Sequence, residues 1–352
     1  MKIKSTNLLT RHVRLFVLLA FTLQFVSVSN FNAQVKLAQT GFGFLNVSTD
    51  AKATAMGEAV TTDNSISTSL FFNPAGISEM NSTVYAGVSQ MKWIADIKYF
   101  SASLAYAPFQ GRYGVFGVDF TKVDYGDFDF TRVAPNEQGF DDIAGYPEPY
   151  SYSIKLVYGI KLSEEFSVGG KLKYAYQNLG NSEIPVYKQV IIDSLLTPDT
   201  SIVTKKYSLD VLAFDFGTIY KTGYKSLAFG MSISNFSREL KYERESFQLP
   251  LTFKFGISMN LFDFLPELAK NNSFMLAIDA VHPRSYSEYL SIGSEYTFMK
   301  MISLRAGYIT KHDDYGLSFG LGVNKFGFKF DYSYLSHKVF NNIQRFSVGF
   351  SL

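Results

Sequence analysis

The sequence predicts an all-β protein: a transmembrane outer-membrane β-barrel of about 14 antiparallel strands with an N-terminal plug segment. Three observations predict it. First, from Leu251 to Leu352 apolar and polar residues alternate with a period of two. At the end, Phe346, Val348, Phe350 and Leu352 share one face, and Ser347, Gly349 and Ser351 share the other. Second, the chain holds 34 Phe and 23 Tyr, 16% aromatic residues, yet its mean hydropathy is only +0.03. Third, the connections between alternating segments are long and short by turns. Strand side chains point to opposite faces in succession, so one face seeks an apolar environment while the other tolerates water. A soluble sandwich would bury the apolar faces against each other; a barrel turns them to lipid and keeps small or ionised groups inside.

The first element is an export signal over residues 1–33. Lys2, Lys4, Arg11 and Arg14 precede an apolar stretch from Leu15 to Val28, and small residues suit cleavage after Ser29 or Ala33. The alternative is a retained helical anchor, although the apolar stretch falls short of the roughly 20 residues that a span needs. With no Cys in the chain, neither a lipid-modified N-terminal cysteine nor a disulfide is available.

Residues 34–82 form the second element. This stretch is rich in Gly, Ala and Thr and too polar for a lipid-facing strand. Ala51–Val60 reads as a short helix with Ser48 or Asp50 as its N-cap. Apolar Leu70–Phe72, with Pro74 and Gly76 punctuating a turn, favour an ordered plug in the lumen over a disordered leader.

Residues 83–352 form the barrel. The alternation places strands at Thr83–Gln90, Asp96–Ala107, Tyr113–Asp124, Tyr150–Leu162 and Phe166–Asn178. Lys206–Tyr220, Ser226–Asn235, Leu251–Leu261, Ser273–Val281 and Glu288–Phe298 follow. Ile302–Thr310, Tyr315–Asn324, Gly327–Ser336 and Ile343–Leu352 complete the set. With the N-terminal segment in the periplasm, Tyr125–Pro149, Leu179–Lys205 and Phe236–Pro250 become long outside loops. Pro108–Arg112, Ser163–Glu165, Lys221–Lys225, Met299–Met301 and Lys325–Phe326 become short inside turns, as outer-membrane barrels require. Phe262–Asn272 is inside yet longer, with a short helix expected at Leu265–Lys270.

Charges follow the same register. Lys155, Lys173, Lys254, Glu295, Arg305 and Lys329 fall on the polar face, as do Lys171, Asp279 and Asp331, so all are expected in the lumen. The net charge of +2 and the scattered basic residues give no nucleic-acid footprint. No cofactor or metal motif is visible.

The most unusual loop is Tyr125–Glu148. Asp127, Asp129, Glu137, Asp141, Asp142 and Glu148, with Asp124 at its edge, face one base, Arg132. Tyr125, Phe128, Phe130, Phe140 and Tyr146 are interleaved among them. Exposed aromatics among charges suit a protein-binding surface; the plainer reading is a loop folded over the barrel mouth with solvated acids. Asp127 and Asp129 lack the glycine and terminal glutamate of a calcium loop. Trp93, the one tryptophan, reads either as a partner anchor or as part of the interfacial aromatic girdle. Catalysis finds little footing. His282, His337 and His312-Asp313-Asp314 sit near strand ends, and adjacent Ser336 and His337 should point to opposite faces, not into one catalytic pair.

The segment from Phe44 to Ser78 reads FLNVSTDAKATAMGEA and then FFNPAGIS. Phe44, Leu45, Ala51, Ala53, Met56, Gly57, Ala59, Asn73, Pro74, Ala75 and Gly76 make an ordered pattern that resembles the N-terminal signature of the PorV/PorQ family. Departures stand at Ala53, where many members carry Arg, and at Phe71–Phe72, where an aromatic–Trp pair is usual. That family is similar in architecture to FadL-type fatty-acid transporters, which also carry an N-P-A turn in their hatch.

The resemblance implies a part in type IX secretion in the Bacteroidetes lineage. Its expected partners are secreted cargo, recognised through a C-terminal signal domain, the translocon and the attachment complex, with outer-membrane lipid around the barrel. No bond is made or broken by the barrel itself. The alternative is a FadL-like transporter for long-chain fatty acids or other hydrophobic compounds. A charged lumen register argues mildly against a wholly greasy path.

Overall fold

The computed structural model describes residues 40–133, 139–143, 148–192, 195–311 and 315–352. The expected export signal, Tyr146 and His312-Asp313-Asp314 lie outside the described residues. Fourteen strands form a single closed antiparallel barrel in which each strand pairs with its neighbours in sequence. They are β1 (Val84–Lys92), β2 (Lys98–Tyr106), β3 (Val115–Asp124), β4 (Tyr150–Lys161) and β5 (Phe166–Ile192). Next come β6 (Leu195–Lys221), β7 (Ala228–Ser237), β8 (Thr252–Asn260), β9 (Ser273–Pro283) and β10 (Tyr289–Phe298). The last are β11 (Ile302–Ile309), β12 (Tyr315–Lys325), β13 (Phe328–His337) and β14 (Ile343–Ser351). β14 returns to β1, from Tyr85 opposite Ser351 to Lys92 opposite Gln344. Closure leaves no unpaired edge in the wall, the condition for a sheet to sit in hydrocarbon.

The alternation decides the faces as expected. Phe346 on β14 and Leu317, Phe319 and Leu321 on β12 point outward and are exposed, while Ser318, Ser347 and Arg345 between them are buried inside. Turns at one end of the barrel are short; long connections gather at the other. Within Phe262–Asn272 the expected helix forms as a single turn, Pro266–Ala269.

β5 and β6 differ from the expectation. Leu179–Lys205 is not a loop: both strands run 27 residues, against 8 to 12 for the rest of the wall. After a bulge between Asn178 and Asn181, the pairs from Asn181–Lys206 to Ile192–Leu195 continue as a two-stranded ribbon beyond the rim. At roughly 3.3 Å per residue this projection measures about 40 Å. Pro185 and Pro198 read as breakers in sequence. In a two-stranded ribbon, however, each strand has one free edge, where a residue without an N–H is tolerated.

The N-terminal residues 40–80 lie against the inner wall. Short helices α1 (Ala51–Ala55) and α2 (Ile66–Phe71) are joined to 3₁₀ turns at Gly43–Asn46 and Pro74–Glu79. α1 starts where expected, with the Asp50 carboxylate accepting from Ala53 N at 2.6 Å, and ends early because Gly57 turns the backbone to positive φ.

Candidate functional site

The inner wall is built to receive this segment. Irregular backbone away from water must find partners for its N–H and C=O groups, and inward strand residues supply them. Asp279 on β9 accepts from Val60 N and Thr61 N, both at 2.9 Å, and from Thr61 Oγ1 at 2.6 Å. Arg345 on β14 donates to Ser48 O at 2.9 Å, and Ala51 N donates to Ser347 Oγ at 3.0 Å. Asn73 caps its own turn by accepting from Ala75 N, and donates to Thr61 O and Thr218 O.

Close approach also explains inward glycines. A β-carbon on Gly217 would collide with the Asn73 carboxamide oxygen, and one on Gly307 with Gly57 N. Met56, Gly57, Asn73, Pro74 and Ala75, motif residues of the segment, thus touch the wall, whereas Gly76 packs against Ser69 and Asp63 of the segment itself.

The lumen charges form two clusters. In the first, Lys52 of α1 pairs with Asp63 at 2.8 Å and reaches Glu295 on β10 at 3.7 Å. Glu295 accepts from Arg305, which also holds Asp331 at 2.6 Å, and Lys329 stands 3.5 Å from Asp331. In the second, Lys171 and Lys173 on β5 flank Asp215 on β6 at 3.4 and 3.2 Å. Lys155 on β4 pairs with Asp119 on β3. Of the nine charges in the polar register, Lys155, Lys171, Lys173, Lys254, Asp279, Arg305 and Asp331 are buried, and Glu295 and Lys329 are partly buried. Asp119 and Asp215, absent from the expected set, follow the same alternation. Lys52, Glu58 and Asp63, off the strands, gave no periodic signal.

At the turn end, Glu79 closes the segment against the wall, with Lys221 at 2.6 Å and Lys161 at 3.0 Å. Burial pushes its carboxyl up, but the hydrogen bonds and charges of Lys221 and Lys161 outweigh that and hold it below the ordinary value of 4.5. A depressed folded-state value contributes stability that is present above 4.5 and lost as pH falls through the folded value. Hydrogen exchange over residues 74–80, corrected for its intrinsic rate, is therefore expected to quicken on acidification below 4.5. Glu79→Gln should abolish that dependence; the same acid response in the variant would exclude this clasp.

Between the segment and the loop-end connections lies a cavity of about 560 Å³. Its walls carry Phe71, Phe72, Trp93, Tyr99 and Tyr289, and Lys155, Lys173 and Lys254 reach it from β4, β5 and β8. Lys155 stands 4.7 Å from the Phe71 ring centre and Lys254 stands 4.5 Å from that of Phe72. A depression of about 420 Å³ on the outer wall, lined by Phe253, Phe255 and Leu290, shares Lys254 and Tyr289 with the cavity.

Trp93 stands at the loop end between β1 and β2. It is half-buried and turned inward, edge-on to Tyr99 at 5.8 Å, with its indole N–H donating to Tyr315 Oη at 3.3 Å. The turn Ile94–Asp96, with Ala95 and Asp96 at positive φ, folds it over the lumen. Tyr125 likewise faces in, hydrogen-bonded to Ser151 Oγ at 3.0 Å. Asp127, Phe128, Asp129 and Phe140 are exposed at the loop end. Phe130 lies in a small hairpin, Phe130–Val133 with Phe140–Ile143. Among the described side chains of the loop, Tyr125 turns to the lumen while Phe128 and Phe140 are exposed. Asp127 beside Glu148 raises the Glu148 carboxyl above the ordinary range. Ser336 points out and His337 in, and the His337 ring nitrogen accepts from Val339 N and Phe340 N at 3.1 Å.

Comparison with known proteins agrees with this architecture. Residues 144–351 match the family model described as type IX secretion system membrane protein PorP/SprF. The PorV/PorQ resemblance rests on residues 44–78, outside that span, and the family shown is a different one. No curated protein matches the chain. Among solved structures, the CymD monoaromatic hydrocarbon channel superposes with a TM-score of 0.54 at 14% identity, covering 87% of this chain and 98% of that one. A Pseudomonas aeruginosa FadL homologue gives 0.51 at 11% identity, over 86% and 97% of the two chains. The P. putida toluene transporter TodX gives 0.51 at 12% identity, over 85% and 97%. At such identities the likeness is one of fold.

Proposed function

The chain belongs to the PorP/SprF family of type IX secretion system membrane proteins, and from that membership we propose that this outer-membrane barrel binds secreted cargo or partner subunits at its extracellular end. By the loop-length rule, the end with long connections faces outward. The observation that carries the reading is the lumen. Residues 40–80 fill the inner wall with hydrogen bonds and ion pairs that a passage would have to break. What remains available to another protein is the loop end, above all the β5–β6 ribbon. An isolated two-stranded ribbon is marginally stable in water and gains from a partner along its edges. The cargo's C-terminal signal domain is the partner we favour, and no catalytic step belongs to this proposal.

The test is removal of residues 181–206 with Asn-Gly rejoining the strands. The barrel is expected to keep its heat-modifiable gel migration. Co-purification with tagged cargo and with the translocon should fall at least about tenfold, the loss of roughly 1.4 kcal/mol of binding. Undiminished co-purification would remove the ribbon from the reading.

One observation favours a second reading, a conduit for hydrophobic compounds. The outer-wall depression and the loop-end cavity share Lys254 and Tyr289 in their linings, and the similar folds include a monoaromatic hydrocarbon channel. Deletion that stops cargo secretion but leaves hydrocarbon uptake intact would eliminate the conduit.

A further inference from the structure

The loop-end cavity contains a cation whose bonding is incomplete. Lys254 enters from β8 and is buried, yet its ammonium makes no hydrogen bond. Phe72 lies against one side of it, and the Glu58 carboxylate stands off at 3.5 Å. The neighbouring ammonium groups are engaged: Lys155 with Asp119 and Thr121, Lys173 with Asp215 and Asn235. An ammonium has three donors, and leaving them empty away from water is costly. Lys254 borders a space of about 560 Å³, within the range of small-molecule sites. Phe71, Phe72, Trp93, Tyr99 and Tyr289 surround that space with ring faces and edges.

The geometry points to a binding site for a small aromatic carboxylate, its ring among these side chains and its carboxylate hydrogen-bonded to Lys254. Glu58, on the same cavity wall, is the built-in competitor: its charge repels the incoming carboxylate while it holds the ammonium loosely. The carboxylate completes a buried cation that the fold leaves short of acceptors, so charge and ring act together. An uncharged analogue keeps the ring contacts but leaves Lys254 unanswered. This site goes beyond partner binding and does not depend on it.

The chain supplies its own reporter, because its single tryptophan, Trp93, lines the cavity. The full protein in lipid nanodiscs is titrated with 3-(4-bromophenyl)propanoate, whose bromine quenches indole fluorescence on contact, and with the corresponding amide. Saturable quenching by the acid is expected, with the amide about tenfold weaker, a difference near 1.4 kcal/mol. Lys254→Gln should weaken the acid by at least the same factor, and Glu58→Gln should tighten it about threefold. Linear, unsaturable quenching overturns the proposal, as does equal affinity for acid and amide. If Lys254→Gln does not fold, the acid–amide ratio and its rise in Glu58→Gln decide the matter; an unchanged ratio in that variant counts against the site.

Discussion

Gly217→Val is expected to unseat the Asn73–Gly76 turn while leaving the barrel closed. Gly217 faces inward on β6, where any β-carbon overlaps the Asn73 carboxamide oxygen and reaches the Pro74 ring carbon at 2.9 Å. Neither neighbour can move cheaply. Asn73 is held by Ala75 N, Thr61 O and Thr218 O, and Pro74 is fixed by its ring. Overpacking a filled interior costs about 1–3 kcal/mol, and losing the Asn73 hydrogen bonds adds about 1 kcal/mol each.

The wall itself is untouched, since its ladder is made by backbone groups. The expected readings are intact heat-modifiable migration, protease cleavage within residues 61–80, and ion conductance in planar bilayers well above that of the parent. Gly307→Val, which strikes Gly57 N from the opposite wall, should do the same. Gly316→Val should not, because nothing lies within 4 Å of the added carbon. A closed, protease-resistant Gly217→Val protein would mean that the segment is not held by this contact.

Asp215→Ala should give the largest loss of stability. Asp215 is fully buried, and so is the Lys171 side chain; Lys173 is almost so. Asp215 also accepts from Asn235 N at 2.7 Å, closing the bulge where β7 leaves regular register with β6. Removing the carboxylate leaves two buried ammonium groups without a countercharge, each keeping one neutral acceptor, Phe71 O or Asn235 Oδ1, and strands a backbone donor. Breaking a buried ion pair by deleting one partner costs about 3–5 kcal/mol, more than one fold-neutral substitution on the lipid face would.

The temperature at which the folded band converts to the unfolded one should fall clearly. Asp215→Asn, which keeps an oxygen for Asn235 N, should fall less. An unchanged conversion temperature in Asp215→Ala would contradict the pairing.

Much of the wall is legible in the sequence. Strand limits other than those of β5 and β6 fall within about two residues of the alternation, because which face a strand residue takes depends only on its parity. The same parity put Lys155, Lys173, Lys254, Glu295, Arg305 and Lys329 inside. The Asp50 cap of α1 and the turn at Pro74 and Gly76 were legible too, since caps and turns are local. The ribbon was not. Pro185 and Pro198 carry the ordinary signature of a break, and only the absence of a third strand makes them admissible there.

The directions of the Trp93 and Tyr125 rings are not legible in the sequence, for a different reason. Parity says nothing once the chain leaves a strand, and a turn with two residues at positive φ can aim a ring either way. The acidic loop shows the same limit: its composition suggested one surface, whereas Tyr125 turns into the lumen and Phe128 away from it.

By itself the sequence determined that strands form, how long most of them are, which residues meet hydrocarbon and which meet the lumen. Those properties follow from neighbours two positions apart. Only the tertiary structure decided how residues 40–80 fit the wall and which carboxylate each cation meets. It also decided that Lys254 borders the loop-end cavity. Such contacts join groups far apart in the chain, as Ala55 and Ser318 do across 263 positions. No local pattern encodes them, because their partners are chosen when the barrel closes.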